Sequence, residues 1–275
     1  GTAAGQQGLR FSVAPKSQTQ QDTGTQEQAA LEAVRTQYEG TAQWMKAPNG
    51  KPTKLNDRQW LQVRTPQFKE WFGDWETDPA NASKVVDENG EPLVVYHGTG
   101  SDFTAFDPAR IGLRDAGFFG SGFYSTPDEG FAQDYADTAV DDTGEGEAAA
   151  MPLYVSLQNP FIWDMSDEGA DATRAALAAA GIKRTSVRGN SAALGNAKER
   201  EIFNRAVREQ GYDGVIVRDE DGIQEVVAFR PEQIKSAIGN TGAFSKSNPD
   251  IRFSRRQNTK AEQEKNLIAQ HNLTA

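Results

Sequence analysis

From Phe118 to Tyr135 the chain reads FFGSGFYSTPDEGFAQDY, and this stretch sends the backbone through a turn, a strand and a helix in close succession. Gly120 and Gly122 bracket Ser121, so the backbone there is free to take positive φ or to approach a ligand closely. Phe123 and Tyr124 follow as a short strand. Thr126, Pro127, Asp128 and Glu129 then read as a capping box with proline at the first helical position, which predicts a helix starting at Pro127 and running to about Ala139. Phe131, Ala132 and Tyr135 fall on one face of that helix, because positions three and four apart stack along its side. Tyr124 and Tyr135 are therefore expected around one concavity, and two rings facing one gap suit a flat ligand.

The segments on either side supply the rest of a mixed fold. Residues 1 to 27 are rich in Gln, Thr, Ser and Gly and read as a flexible linker, followed by a loose amphipathic helix from Glu27 to about Met45. Leu55 to Trp75, LNDRQWLQVRTPQFKEWFGDW, holds two helix starts, at Asn56 and at Thr65 with Pro66 behind it. Trp60, Phe68, Trp71, Phe72 and Trp75 are dense enough to require burial, and cover for one side of the following domain outweighs a separate binding site. Leu93 to Tyr96 is a short apolar run expected as a buried strand ending at His97 and Gly98. The loop from Ser101 to Phe118 carries Phe103 and Phe106, and a loop of this length is often functional and able to lie over a ligand. Strands are expected at Leu153 to Leu157, Pro160 to Trp163, Val215 to Val217 and Glu225 to Phe229. Helices are expected at Thr173 to Ala180 and Ala197 to Gln210, each stopped by a glycine. Short strands with helices around them make an α+β class, and from Gly239 onward the chain is polar again.

Composition removes several kinds of chemistry. With no cysteine there is no disulfide, thiolate metal site or cysteine nucleophile, and His97 and His271 alone cannot build a multi-histidine metal centre. A net charge of -10 opposes sequence-blind binding to nucleic acid, although a local patch can still hold a nucleic-acid substrate. No run approaches the roughly 18 apolar residues that a membrane helix needs. Hydrophobic residues make up 37% of the chain, which fits one packed domain with polar flanks. Leu9-Arg10-Phe11-Ser12 is echoed by Ile251-Arg252-Phe253-Ser254 on the far side of the packed region, as in a module cut from a longer chain whose repeats are candidate processing sites.

Three separated groups then acquire a common meaning: Tyr96-His97-Gly98-Thr99 at a strand end, Tyr124 with Tyr135 eleven residues later, and Glu225 opening a late strand in IQEVVAF. In this order they resemble the His-Tyr-Glu branch of the ADP-ribosyltransferases, the branch of diphtheria toxin and the poly(ADP-ribose) polymerases. With the aromatic block before the core and NPDIRFSRR after it, the chain is similar more narrowly to the transferase modules in polyvalent proteins of bacteriophages and conjugative elements. The resemblance implies a split β-sheet core at residues 93 to 240 with flanking helices, a helical N-terminal extension over 28 to 92, and a flexible tail over 241 to 275. It implies NAD as substrate with no metal. Glu225 would bond the ribose hydroxyl beside the breaking bond, and His97 would bond the adenosine ribose. The backbone of Gly98 would pair with the nicotinamide carboxamide, while Tyr135 stacks on the ring and Tyr124 lines its other side. Glu225, His97 and Tyr124 are thus the expected catalytic residues, and His97, Gly98, Thr99, Gly122, Tyr124, Ser125 and Tyr135 the expected NAD contacts.

The same resemblance has departures. Many polymerases carry a carboxamide-binding serine three residues before the second tyrosine; here that residue is Ala132, with Ser125 or Thr126 as open substitutes. Enzymes that modify arginine commonly carry Glu or Gln two residues before the catalytic glutamate; Ile223 stands there, so an arginine acceptor is not supported. The implied activity is mono-ADP-ribosyl transfer to a host macromolecule, a host protein ahead of nucleic acid, in the cytoplasm of a bacterial host after delivery. NAD hydrolysis and an inactive NAD-binding module of a phage polyprotein are the alternatives.

Overall fold

The computed structural model describes residues 18–112, 117–144, 146–188, 194–240 and 244–251. Two sheets form the centre. One is three-stranded, in the order β1 (Val95–Thr99), β3 (Ala149–Val155), β7 (Ile234–Ser236). The other is four-stranded, in the order β2 (Phe123–Ser125), β6 (Gly222–Ala228), β5 (Gly214–Asp219), β4 (Pro160–Asp164), with only β4 and β5 parallel. Mixed helices and strands make this an α+β fold, as the sequence pattern predicts.

Period-two alternation assigns each strand face to a layer. Phe161, Trp163, Val215, Val217 and Val227 face α5 (Ala170–Ala179) and α6 (Ala197–Glu209), whose Leu177, Phe203 and Val207 close one core. The opposite face, with Phe123, Ile216, Val226 and Ala228, packs on Val95, Leu153, Val155 and Ile234 of the three-stranded sheet. The outer face of that second sheet carries the aromatic block. There α2 (Asp57–Gln62) and α3 (Pro66–Phe72) bury Trp60, Phe68, Trp71, Phe72 and Trp75 with Tyr154 and Phe244. The two helices begin where the caps indicate: the Asn56 side chain accepts from the Gln59 N–H, and that of Thr65 from the Phe68 N–H with Pro66 behind it. The Trp71 indole donates to the Glu232 carbonyl at 3.0 Å, joining block to core.

Several boundaries differ from the expected ones for identifiable reasons. α1 runs Gln18–Tyr38, so it starts inside the stretch expected as linker and stops short of Met45, at a turn where the Thr41 hydroxyl donates to the Tyr38 carbonyl. The helix expected from Pro127 is α4, Glu129–Thr143. Asp128 caps it, its carboxylate accepting from the Phe131 N–H at 3.0 Å, while Thr126 is bridged to Tyr96 through its backbone two residues earlier. Gly144, at φ +66°, ends α4 four residues beyond Ala139. Strand β6 begins at Gly222, so Glu225 lies inside it, and His97 lies inside β1. Part of the polar C-terminal segment is packed: Phe244 and Ile251 are buried, and Ile251 joins the Ser236 N–H to its carbonyl and its own N–H to the Thr104 carbonyl. Residues 9 to 12 and 252 to 254, which carry the echoed motif, lie outside the described residues.

Lys235 pins that C-terminal segment. Its side chain is fully buried, and its ammonium donates to the carbonyls of Asn248 and Asp250. Burial pushes its pKa down to about 8, against the raising effect of the Asp250 and Glu232 charges. The unfolded chain, with lysine near its ordinary value of about 10.4, therefore binds more protons than the folded one between about pH 8 and 10. In that window this residue makes stability rise with pH, and below it the penalty is constant. Urea midpoints measured across pH 7 to 10.5 should rise more steeply in the wild type than in Lys235→Met; parallel profiles would contradict the assignment.

Candidate active site

Among the described residues one backbone bridge joins the edges of the two sheets, and the site forms where those edges part. Tyr96 of β1 and Thr126, just past β2, exchange both backbone hydrogen bonds, at 2.7 and 3.0 Å. In an antiparallel ladder the next such pair lies two residues along, at Gly98 and Tyr124. The His97 side chain intervenes there: its Nδ1 lies 2.7 Å from the Tyr124 carbonyl, which fixes Nδ1 as the protonated nitrogen and Nε2 as an acceptor. Gly98 thus turns its N–H and C=O toward the side on which Tyr96 meets Thr126, past the last bridge between the sheets. Burial lowers the His97 pKa below its ordinary value, with the hydrogen bond to the Tyr124 carbonyl acting in the opposite sense, so the ring is neutral at pH 7. The rings of Phe106 and Phe103, with centroids 4.9 and 6.3 Å from it, hold the imidazole edge-on. This is the role the structure gives to the aromatic residues of the loop after β1.

Gly98 is also required by packing. A Cβ at this position would lie 2.1 Å from the Ala132 carbonyl, because α4 crosses β1 with Ala132 and Ala136 against it. The atoms it would meet are backbone atoms of α4, so it is the missing side chain of Gly98 that permits the crossing. The Tyr96 phenol reaches the Glu129 carboxylate at the start of α4, and burial together with that charge raises its pKa. Phe131 and Tyr135, one turn apart and respectively 57% and 42% exposed, lie on the surface of α4.

The glycine turn is wedged between α6 and β6. A Cβ on Gly120, at φ +103°, would meet the Phe203 ring and the Asn204 side chain, and one on Gly122 would lie 2.5 Å from Val227. The Tyr124 hydroxyl staples the turn from within, donating to the Gly120 carbonyl at 2.6 Å and accepting from the Phe119 N–H at 2.9 Å. Its ring packs with the core that Val227 also joins. Ser125 is buried with its hydroxyl 3.4 Å from the Val226 carbonyl, and the Thr126 hydroxyl accepts from the Asp128 N–H. The Thr99 hydroxyl is engaged with both backbone groups of Ser101.

Register then locates Glu225. Tyr124 pairs with Val227 and Ser125 with Val226, so one further step sets Glu225 beside Thr126, whose other neighbour is Tyr96. Glu225 shares a face of β6 with Val227 and so lies on the diagonal from Tyr124, within reach of a long side chain. Between the pairs Val217–Glu225 and Arg218–Ile223 the register shifts, leaving Gln224 as an extra residue on β6. Such a bulge re-aims the side chain next to it. Gln224 itself donates to the Asp219 carboxylate at 2.9 Å.

The structure therefore brings His97, Gly98, Tyr124, Ser125 and Glu225 onto three adjacent strands, with Gly122 in the turn just ahead of β2, Tyr135 on α4 and Thr99 at the far end of β1. Two contributors had no signal in the sequence: Thr126 as the bridge and Asn204 as a support of the turn. Among the described residues there is no group of three or more His, Cys, Asp or Glu side chains able to hold a metal, and no helix long and apolar enough to cross a membrane.

No curated protein matches the chain. Among solved structures, a "Crystal structure of an anti-CRISPR protein" is similar over 50% of this chain and 90% of its own, at 16% identity and a TM-score of 0.23. The model of the family described as "ADP-Ribosyltransferase in polyvalent proteins" matches residues 87–244, which contain the bridge, the glycine turn, α4, α6 and β6. On that match, over more than half of its length, this chain belongs to the ADP-ribosyltransferases found in polyvalent proteins.

Proposed function

We propose that the chain is an NAD-dependent mono-ADP-ribosyltransferase of the His-Tyr-Glu branch, acting on a host macromolecule as one module of a larger phage or mobile-element protein. Its place of action would be the cytoplasm of a bacterial host after delivery. The observation that carries the reading is the register that sets Glu225 beside Thr126 while Thr126 is bridged to Tyr96, next to His97. One dinucleotide lying across the parting of the sheets can then meet all three members of the motif.

In this reading the nicotinamide carboxamide pairs with the Gly98 N–H and C=O, and neutral His97 accepts a ribose hydroxyl at Nε2. Tyr135 covers the nicotinamide ring from α4. The Tyr124 hydroxyl is already committed to the turn, so Tyr124 acts by shaping the wall with its ring and by presenting its carbonyl to His97. As the bond between nicotinamide and ribose breaks, its electron pair leaves with nicotinamide and positive charge builds on the sugar, as in glycoside cleavage. Glu225 accepts the proton of the neighbouring ribose hydroxyl in a hydrogen bond and offsets that charge. A nucleophilic oxygen or nitrogen of the acceptor bonds to the exposed carbon and loses its proton.

The test incubates the purified chain and bacterial lysate with NAD labelled in its ADP-ribose half. Nicotinamide release with label in protease-sensitive, nuclease-resistant material is the expected result. Nicotinamide release without macromolecular label would identify a hydrolase, and NAD binding without any release would identify an inactive binding module.

A further inference from the structure

We propose that Asn204 is a positioning residue for NAD, holding the Gly120–Gly122 turn in its ligand-competent shape through both ends of its carboxamide. The inference rests on the transferase reading above and extends it to α6, which none of the expected site residues occupies. Asn204 Oδ1 accepts from the Ser121 N–H and Asn204 Nδ2 donates to Ser121 Oγ, each at 2.8 Å. Two bonds between one planar amide and one residue fix the orientation of Ser121 as well as its distance, which a single bond does not do.

The contact lies where the turn has no regular pairing of its own, since β2 begins only at Phe123. Just ahead of it the Phe118 carbonyl accepts from the Leu194 N–H and the Phe119 ring packs on Trp163, and the turn itself is held by two side chains. Tyr124 ties it to itself through the Gly120 carbonyl and the Phe119 N–H, and Asn204 ties it to α6. Gly120 lies so close to α6 that a Cβ would stand 2.9 Å from Asn204 Oδ1, so the backbone is seated on the carboxamide itself. α6 is anchored independently, through Phe203 and Val207 in the core and through the Asn196 cap, and so provides a rigid base. Because Ser121 Oγ accepts from Asn204, its own proton is directed elsewhere, toward a ligand or solvent. The turn leads directly into Tyr124, whose carbonyl holds His97, so a displaced turn reaches two NAD contacts together.

Asn204→Leu keeps shape and helix preference while removing both bonds; Asn204→Asp keeps two acceptors, for the Ser121 N–H and O–H. Loss of two neutral hydrogen bonds should raise KM for NAD about tenfold in Asn204→Leu with kcat little changed. Asn204→Asp should return KM to within about threefold of wild type. Amide exchange at Ser121 should accelerate in the leucine variant and stay slow in the aspartate one, with melting temperatures close to wild type. Faster Ser121 exchange with unchanged KM, or equal KM increases in both variants, would overturn the assignment while leaving the transferase reading intact. A wild-type chain that neither binds nor cleaves NAD would overturn both.

Discussion

Glu225→Gln should lower nicotinamide release and ADP-ribosyl transfer roughly a hundred- to thousandfold, while NAD still binds and the protein still melts as the wild type does. The exchange keeps the size of the side chain and a carbonyl acceptor but removes the negative charge, which acts mainly when the sugar becomes cationic. A contact of that kind, directed at charge that develops in the transition state, is usually worth about 3 to 4 kcal/mol. Binding of the uncharged ground-state ribose draws little on it, so kcat should fall and the dissociation constant for NAD should not. The fold should be indifferent because Glu225 is only half-buried and β6 is held through Val226, Val227 and Ala228. Steady-state nicotinamide release, NAD titration and a thermal melt on the same preparation check all three statements. Activity above a tenth of wild type would remove Glu225 from the chemistry.

Arg64→Leu should be the most destabilising single exchange in the aromatic block. The Arg64 side chain is 2% exposed and its guanidinium lies 3.8 Å from the centre of the Trp60 ring and 4.9 Å from that of Trp75. It donates to the carbonyls of Trp60 and Lys46 and, at 3.0 Å, to the Glu91 carboxylate, which is 1% exposed; Glu76 lies 3.1 Å from Nε. Removing the cation strips the buried Glu91 carboxylate of its charge partner while the Thr53 hydroxyl still donates to it, and breaking a buried pair from one side costs about 3 to 5 kcal/mol. For a domain of this size that corresponds to a fall of roughly ten degrees in melting temperature. The Arg64→Leu, Glu91→Leu double variant should recover part of the loss, because neither charge is then stranded. A single variant that melts within about two degrees of wild type would show that the block does not depend on this ion pair.

The two predictions sit at opposite ends of what can be read without coordinates. Glu225 is a candidate already in the sequence because a carboxylate at the head of an apolar run follows in order after the histidine strand and the paired tyrosines. Arg64 is not legible: nothing in QVRTPQ distinguishes a cation destined for two tryptophan faces from a solvated one. The misplaced start of α4 has the same origin. Thr126 and Asp128 are both good caps in the sequence, and only the fold shows that Asp128 caps the helix while Thr126 is bridged to Tyr96, distant in sequence. The C-terminal segment reads as polar tail because its two anchors, Phe244 and Ile251, are too widely spaced to make a periodic pattern.

By itself the sequence determined the order of the helices and of every strand but β7, the caps of α2 and α3, and the α+β class, because capping, turn chemistry and period-two alternation act between residues close in the chain. It also determined which residue types could carry the reaction, since the motif is a matter of kind and order. Only the tertiary structure decided that β2 lies between β1 and β6, that His97 takes the Tyr124 carbonyl where a second bridge would form, and that α6 braces the glycine turn. Those outcomes depend on hydrogen bonds and contacts between segments tens of residues apart, whose partners are chosen by packing of the whole core and leave no local trace.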